Sequence, residues 1–92
     1  MSEPAEIRLK RLHMRSIRRG IKEMDLILTA FSETALADLP PNDLDTYEAL
    51  LQENDQDLYA WITGQAEAPP VYAALIARIA AQARGLTRPG AV

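Results

Sequence analysis

The sequence predicts an all-α fold, a compact five-helix bundle of short helices in a single domain, and three observations carry that expectation. Apolar residues make up 48% of the chain, but fifteen alanines stand against two valines, a mixture that suits helices and starves sheets. Apolar positions recur at intervals of three and four, and no stretch alternates apolar and polar residues over more than a few positions. Glycine, proline and Asn-Asp breaks cut the ninety-two residues into five segments, and that length leaves room for one core and no second domain.

The elements follow in order. Ser2 and Pro4 open a first helix that runs to about Arg19, where Gly20 offers a left-handed terminator; Ile7, Met14 and Ile17 lie near one face, with Leu9 and Leu12 broadening it. A second helix, about Ile21 to Ala37, places Met24, Ile27, Leu28 and Phe31 on one face, with Glu23 and Asp25 in the first turn where the helix dipole favours negative charge. Pro40 and Pro41 lead into a third, about Asn42 to Glu53, with Leu44, Tyr47 and Leu51 inward. Asn54 and Asp55 interrupt it, and Asp55 caps a fourth helix, Gln56 to Thr63, which buries Leu58, Trp61 and Ile62 and stops at Gly64. After the polar linker from Gln65 to Pro69, a fifth helix from Pro70 to about Arg84 lines up Tyr72, Leu75, Ile76, Ile79, Ala80 and Ala83 before Gly85. The domain is therefore expected over 1–85, with 86–92 as a flexible C-terminal tail.

Composition removes several classes of function. Cysteine is absent and His13 is the sole histidine, so disulfide scaffolds, thiolate metal sites and cysteine nucleophiles are excluded together. No apolar run approaches the roughly 18 residues that span a bilayer, and the start of the chain resembles neither a signal nor a transit peptide, so a cytoplasmic location without membrane insertion is expected. Charge is divided unevenly. Residues 1–22 set seven cations against two carboxylates, a net +5, whereas the remaining seventy set three arginines against eleven carboxylates, a net −8. Such a basic segment can steer an anionic partner surface.

The most informative stretch is Arg18-Arg19-Gly20-Ile21-Lys22-Glu23-Met24-Asp25. With Gly20 breaking the helix, Arg19 and Glu23 both project near the turn between two helices, joining a planar five-donor guanidinium, a carboxylate and a residue without a Cβ at one corner. Taken alone, this is also what a helix terminator beside a surface ion pair looks like, worth under about 1 kcal/mol. Asp55 and Asp57 start like a calcium loop but lack its glycine and bidentate glutamate, so a cap and a surface acid describe them better. Of the tyrosines at 47, 59 and 72, Tyr59 lies off the buried stripe and is the best candidate for a partner surface. No Ser/His/Asp arrangement, paired carboxylates or phosphate loop is present, so no enzymatic activity is expected.

Arg19-Gly20-x-x-Glu23, preceded by Arg18 and followed by Asp25, and then Asp55-x-Asp57-Leu58-x-x-Trp61 about thirty residues on, resembles the FAD assembly factor family: the bacterial SdhE-type proteins and the mitochondrial succinate dehydrogenase assembly factors. The resemblance extends from Arg8 to Gly64, includes Leu50-Leu51, and weakens across the last helix. Met14, where relatives often carry an aromatic residue, and an Ala-rich fifth helix are departures from the pattern. The resemblance implies a five-helix protein that binds the flavoprotein subunit of succinate dehydrogenase, and of fumarate reductase, and promotes covalent attachment of FAD to a histidine of that partner; a monomer is expected. The FAD is then held by the partner and not tightly by this chain, and His13 is a partly exposed helix residue. The resemblance places Arg19, Gly20 and Glu23 in the partner near its isoalloxazine. In the accompanying physical reading, Gly20 permits close backbone approach, Glu23 orients groups around the acceptor, and Arg19 with Arg18 pairs with partner carboxylates. Arg18, Arg19, Gly20, Glu23, Asp25 and Tyr59 form the expected partner-binding set. The rival expectation is a small nucleic-acid-binding module using the basic first helix, against which the acidic remainder and a pI near 5.0 argue.

Overall fold

The computed structural model describes residues 3–17 and 19–87, with backbone alone for 85–87. Among them are five α-helices: α1 (Ala5–Ser16), α2 (Lys22–Thr34), α3 (Pro41–Leu50), α4 (Asp55–Ile62) and α5 (Pro70–Thr87), with a short 3-10 turn, Leu36–Asp38, after α2. The described residues contain no strand, as the composition predicts. Helix α5 forms the spine of the bundle and packs on α2, α3 and α4, while α1 lies along α2. The core holds Met24, Ile27, Leu28 and Phe31 of α2, Tyr47 and Leu50 of α3, Leu58 and Ile62 of α4, and Tyr72, Leu75, Ile76, Ile79 and Ala83 of α5. Two ring pairs bind layers together: Phe31 stacks on Tyr47 at 5.7 Å and Trp61 on Tyr72 at 5.9 Å between centroids.

Several elements differ from the sequence expectation, each for a local reason. The buried face of α1 is Leu12 and Ser16 with half-buried Leu9, whereas Ile7 and Met14 are 54% and 48% exposed. Positions 9, 12 and 16 share one side of a 3.6-residue helix and 7 and 14 the opposite one. Helix α1 ends at Ser16, short of Arg19, and Gly20 is not its left-handed terminator, since Gly64 is the only described glycine with positive φ. The hydroxyl of Ser16, wholly buried, donates to the Leu12 carbonyl at 2.7 Å and lies 2.6 Å from the Tyr47 hydroxyl, pinning the end of α1 to α3. Burial, opposed by this hydrogen bond and by nearby Arg19, pushes the Tyr47 phenol up to about 12.

Helix α2 stops at Thr34, not Ala37, because the chain tightens into the 3-10 turn that tucks Leu36 into the core. Helix α3 likewise ends at Leu50, and a turn carries Leu51 to Glu53. The cap of α4 is Asn54, whose side chain accepts the Gln56 amide at 2.8 Å, and not Asp55, which is the first helical residue. Trp61 is half-buried against the core instead of inside it. Gly64, at φ 81°, ends α4 as expected: the amide of Gln65 donates to the Ala60 carbonyl at 2.8 Å and that of Gly64 to Trp61 at 3.3 Å, a Schellman closure. Gly85 does not end α5, which continues to Thr87, so the expected boundary between domain and tail at 85 falls inside a helix; residues 88–92 lie outside the described residues.

Candidate functional site

The two sequence motifs, far apart along the chain, meet at the turn between α1 and α2. Because Asn54 caps α4, the Asp55 carboxylate is left to reach across to that turn. Its Oδ1 accepts the Arg19 guanidinium at 2.7 Å, and its Oδ2 accepts the backbone amide of Gly20 at 2.6 Å. The same guanidinium donates to the carbonyls of Leu51 at 3.0 Å and Glu53 at 3.3 Å, so it also closes the link between α3 and α4. Both side chains of the pair are largely shielded, at 10% and 16% exposure. From the other side, Oδ1 of Asp25 accepts the Arg19 amide. Two consecutive amides of the turn are thus held by two carboxylates, one from the first turn of α2 and one from α4.

This geometry explains the glycine without invoking unusual φ. A Cβ at position 20 would stand 3.2 Å from Asp55 Oδ2, tighter than ordinary contact, so the carboxylate can approach this backbone closely only if no side chain is present.

The expected site residues divide into two groups. Arg19 and Asp25 face inward, and the expectation that Arg19 pairs with partner carboxylates gives way to an internal role, since its guanidinium is committed to Asp55 and two carbonyls. Gly20 and Glu23 face outward; both are exposed, and among the described residues the Glu23 carboxylate has no hydrogen-bond or ion-pair partner. Tyr59 is half-buried on α4, four positions beyond Asp55, in a groove of about 260 Å³ shared with Ile27, Ile62, Thr63 and Arg84. Tyr47 and Tyr72 are buried, the latter donating to Glu53 at 2.9 Å, so neither is available to a partner. Arg18 lies outside the described residues. Leu26, which the sequence reading passed over, is 50% exposed one turn beyond Glu23 on the outer face of α2. Its signal was its absence from the Met24, Ile27, Leu28, Phe31 stripe. His13 is half-buried, as expected, with Nδ1 2.6 Å from the Ser32 hydroxyl.

The basic segment is less free than its charge suggests. Arg8 pairs with Asp45 at 2.6 Å and Glu48 at 3.2 Å, and Arg11 with Glu48 at 2.9 Å and Glu3 at 2.8 Å. The hydrogen bonds from Arg11 hold the Glu3 and Glu48 carboxyls below the usual carboxylate range. With Arg19 also committed, half of the six described cations in this segment are matched by the chain's own acids, which disfavours the nucleic-acid reading.

A family model described as flavinator of succinate dehydrogenase matches residues 10–83, which include the turn, the Asp55 motif and most of α5. The chain belongs to this family. The match continues into the last helix, beyond the region where the motifs alone carry the resemblance. Among curated relatives, succinate dehydrogenase assembly factor 2, mitochondrial, of Candida glabrata is 38% identical over 71 residues, covering 77% of this chain and 46% of the relative. The protein of the same name from Drosophila grimshawi is 37% identical over 73 residues, 77% of this chain and 50% of the relative. That of Saccharomyces cerevisiae is 36% identical over 70 residues, 76% and 43%. The chain thus spans about half the length of these relatives. Among the described residues no helix is long and apolar enough to cross a membrane.

Proposed function

We propose that this chain binds the flavoprotein subunit of succinate dehydrogenase, and of fumarate reductase, and promotes covalent attachment of FAD to a histidine of that partner. The observation that carries the reading is the outward edge of the α1–α2 turn, where Glu23 is exposed with no described internal partner beside a glycine whose backbone is held from behind. Family membership supplies the client class.

Attachment requires the acceptor histidine and the flavin to be held in register, and orientation of this kind can supply several kcal/mol of a barrier. In this proposal the FAD is cargo held by the partner. Gly20 lets the partner's backbone come close, Glu23 accepts a hydrogen bond from a group beside the acceptor, and Leu26 and Tyr59 add apolar contact on either side. Arg19 and Asp25 hold the turn and do not meet the partner. A protein that binds the attachment-competent conformation preferentially raises its population by no more than its differential affinity allows. On this reading the chain acts as a monomer, turns over no substrate of its own and works in the cytoplasm.

The test is a pulldown from the native host with in-gel flavin fluorescence, comparing cells with and without the gene. The reading expects a large flavoprotein to co-purify and its covalent flavin signal to fall in the deletion. An unchanged signal contradicts it.

A further inference from the structure

We infer that Asp55 is the positioning residue of this site: acting through the amide of Gly20 and the guanidinium of Arg19, it keeps the outer edge of the α1–α2 turn in the one shape that the partner accepts. The inference rests on the docking role proposed above and deepens it, because it names what sets the shape of the docking edge.

No other contact among the described residues does so as directly. The turn has no left-handed glycine, and Ile21, the N-cap of α2, makes no side-chain cap bond. Its polar anchors are carboxylates that take the two consecutive amides, Asp25 that of Arg19 and Asp55 that of Gly20. Asp25 belongs to the helix that the turn enters and can fix only the local path. Asp55 comes from another helix, 35 positions away, and ties the turn to the body of the bundle. The exchange of capping duty to Asn54 leaves both Asp55 oxygens for that purpose.

A surface held in its binding shape binds more tightly than one that visits it part of the time, since the apparent dissociation constant rises by the inverse of the competent fraction. Loss of Asp55 should therefore raise the concentration at which the protein acts, while a partner in excess still selects the correct shape. Loss of Glu23, which meets the partner, should instead lower the rate at saturation.

The experiment uses the full chain with the separately purified flavoprotein subunit of succinate dehydrogenase and FAD, and reads covalent flavin against concentration of the wild type, Asp55→Asn, Arg19→Lys and Glu23→Gln. Circular dichroism and a thermal melt fix the folded fraction of each. Asp55→Asn, fully helical at the assay temperature, is expected to raise the half-saturating concentration about tenfold and to keep the maximal rate within about twofold. Arg19→Lys, which keeps the charge but loses the fork that spans Asp55 and two carbonyls, is expected to shift it in the same direction. The combined variant should lose little more than the worse single one. The proposal is overturned by a folded Asp55→Asn with wild-type half-saturation, by a fall in maximal rate without a concentration shift, or by a loss that tracks only the unfolded fraction. If Asp55→Asn fails to fold, Arg19→Lys decides by the same criteria. A wild type that stimulates no attachment sinks the docking role and this inference together. Stimulation that Glu23→Gln lowers and the Asp55 and Arg19 variants leave unchanged sinks this inference alone.

Discussion

The carboxylate of Asp55 accepts the backbone amide of Gly20 at 2.6 Å across 35 positions of sequence. This contact ties the two motifs of the family into one structure. It predicts a steric penalty for any side chain at position 20. Gly20→Ala places a Cβ 3.2 Å from Asp55 Oδ2, so the carboxylate must yield by a few tenths of an ångström. A cost of about 1 kcal/mol, read as a drop of roughly 4 to 8 °C in Tm, is expected for a domain of this size. An unchanged Tm would mean that the carboxylate yields freely.

The ion-paired strut between α1 and α3 predicts a sensitivity to acid. Glu48 is held below the ordinary carboxylate value of 4.5, first by the hydrogen bond from Arg11. A depressed folded pKa adds stability above the unfolded value and loses it as pH falls through the folded one. The Tm advantage of wild type over Glu48→Gln should therefore be present at pH 6 to 7 and shrink below about pH 4.5. A difference that does not vary with pH would show that the pair contributes nothing in solution.

At the alkaline end the sign is reversed. The Tyr47 phenol is pushed from 10.0 up to about 12, so its neutral form is favoured by the fold. Its contribution is full below pH 10 and is lost as pH rises toward 12. Unfolding in that interval should coincide with delayed tyrosinate absorbance. Tyr47→Phe, which strands the buried Ser16 without this partner, should cost about 1 to 2 kcal/mol at neutral pH, measured by urea melts.

Leu26 separates stability from binding. As a half-exposed side chain outside the core, its change to Ala should alter stability by no more than about 0.5 kcal/mol. Capture of the flavoprotein subunit should weaken several-fold, as for an apolar contact at the heart of an interface. Equal capture by both proteins would remove Leu26 from the docking surface.

Fold class and core were legible because they follow from local periodicity. The Met24, Ile27, Leu28, Phe31 stripe and the α5 stripe, apart from half-buried Ala80, entered the core as spaced, and Gly64 closed α4. What depends on contact across the chain was not legible. Arg19 reads as a surface cation for an exposed ion pair or a partner's carboxylates until α4 places Asp55 beside it, and Gly20 reads as a left-handed terminator until that carboxylate approaches its amide. Two adjacent capping types, Asn54 and Asp55, leave the cap ambiguous, and only the structure assigns it to Asn54. The buried side of α1 is not legible because Ile7 and Met14, seven apart, imitate a buried face that Leu9, Leu12 and Ser16 in fact occupy.

The central claim is that the Glu23 carboxylate works on a partner and not on its own fold. The most direct test is the rate of covalent flavin attachment in a flavoprotein subunit given saturating Glu23→Gln, beside melts of the same samples. The account predicts an unchanged Tm with stimulation reduced at least about tenfold, in keeping with the roughly 1.5 to 3 kcal/mol that a hydrogen bond to a charged group contributes. Wild-type stimulation by the variant, or a loss that disappears once unfolded protein is discounted, would contradict it.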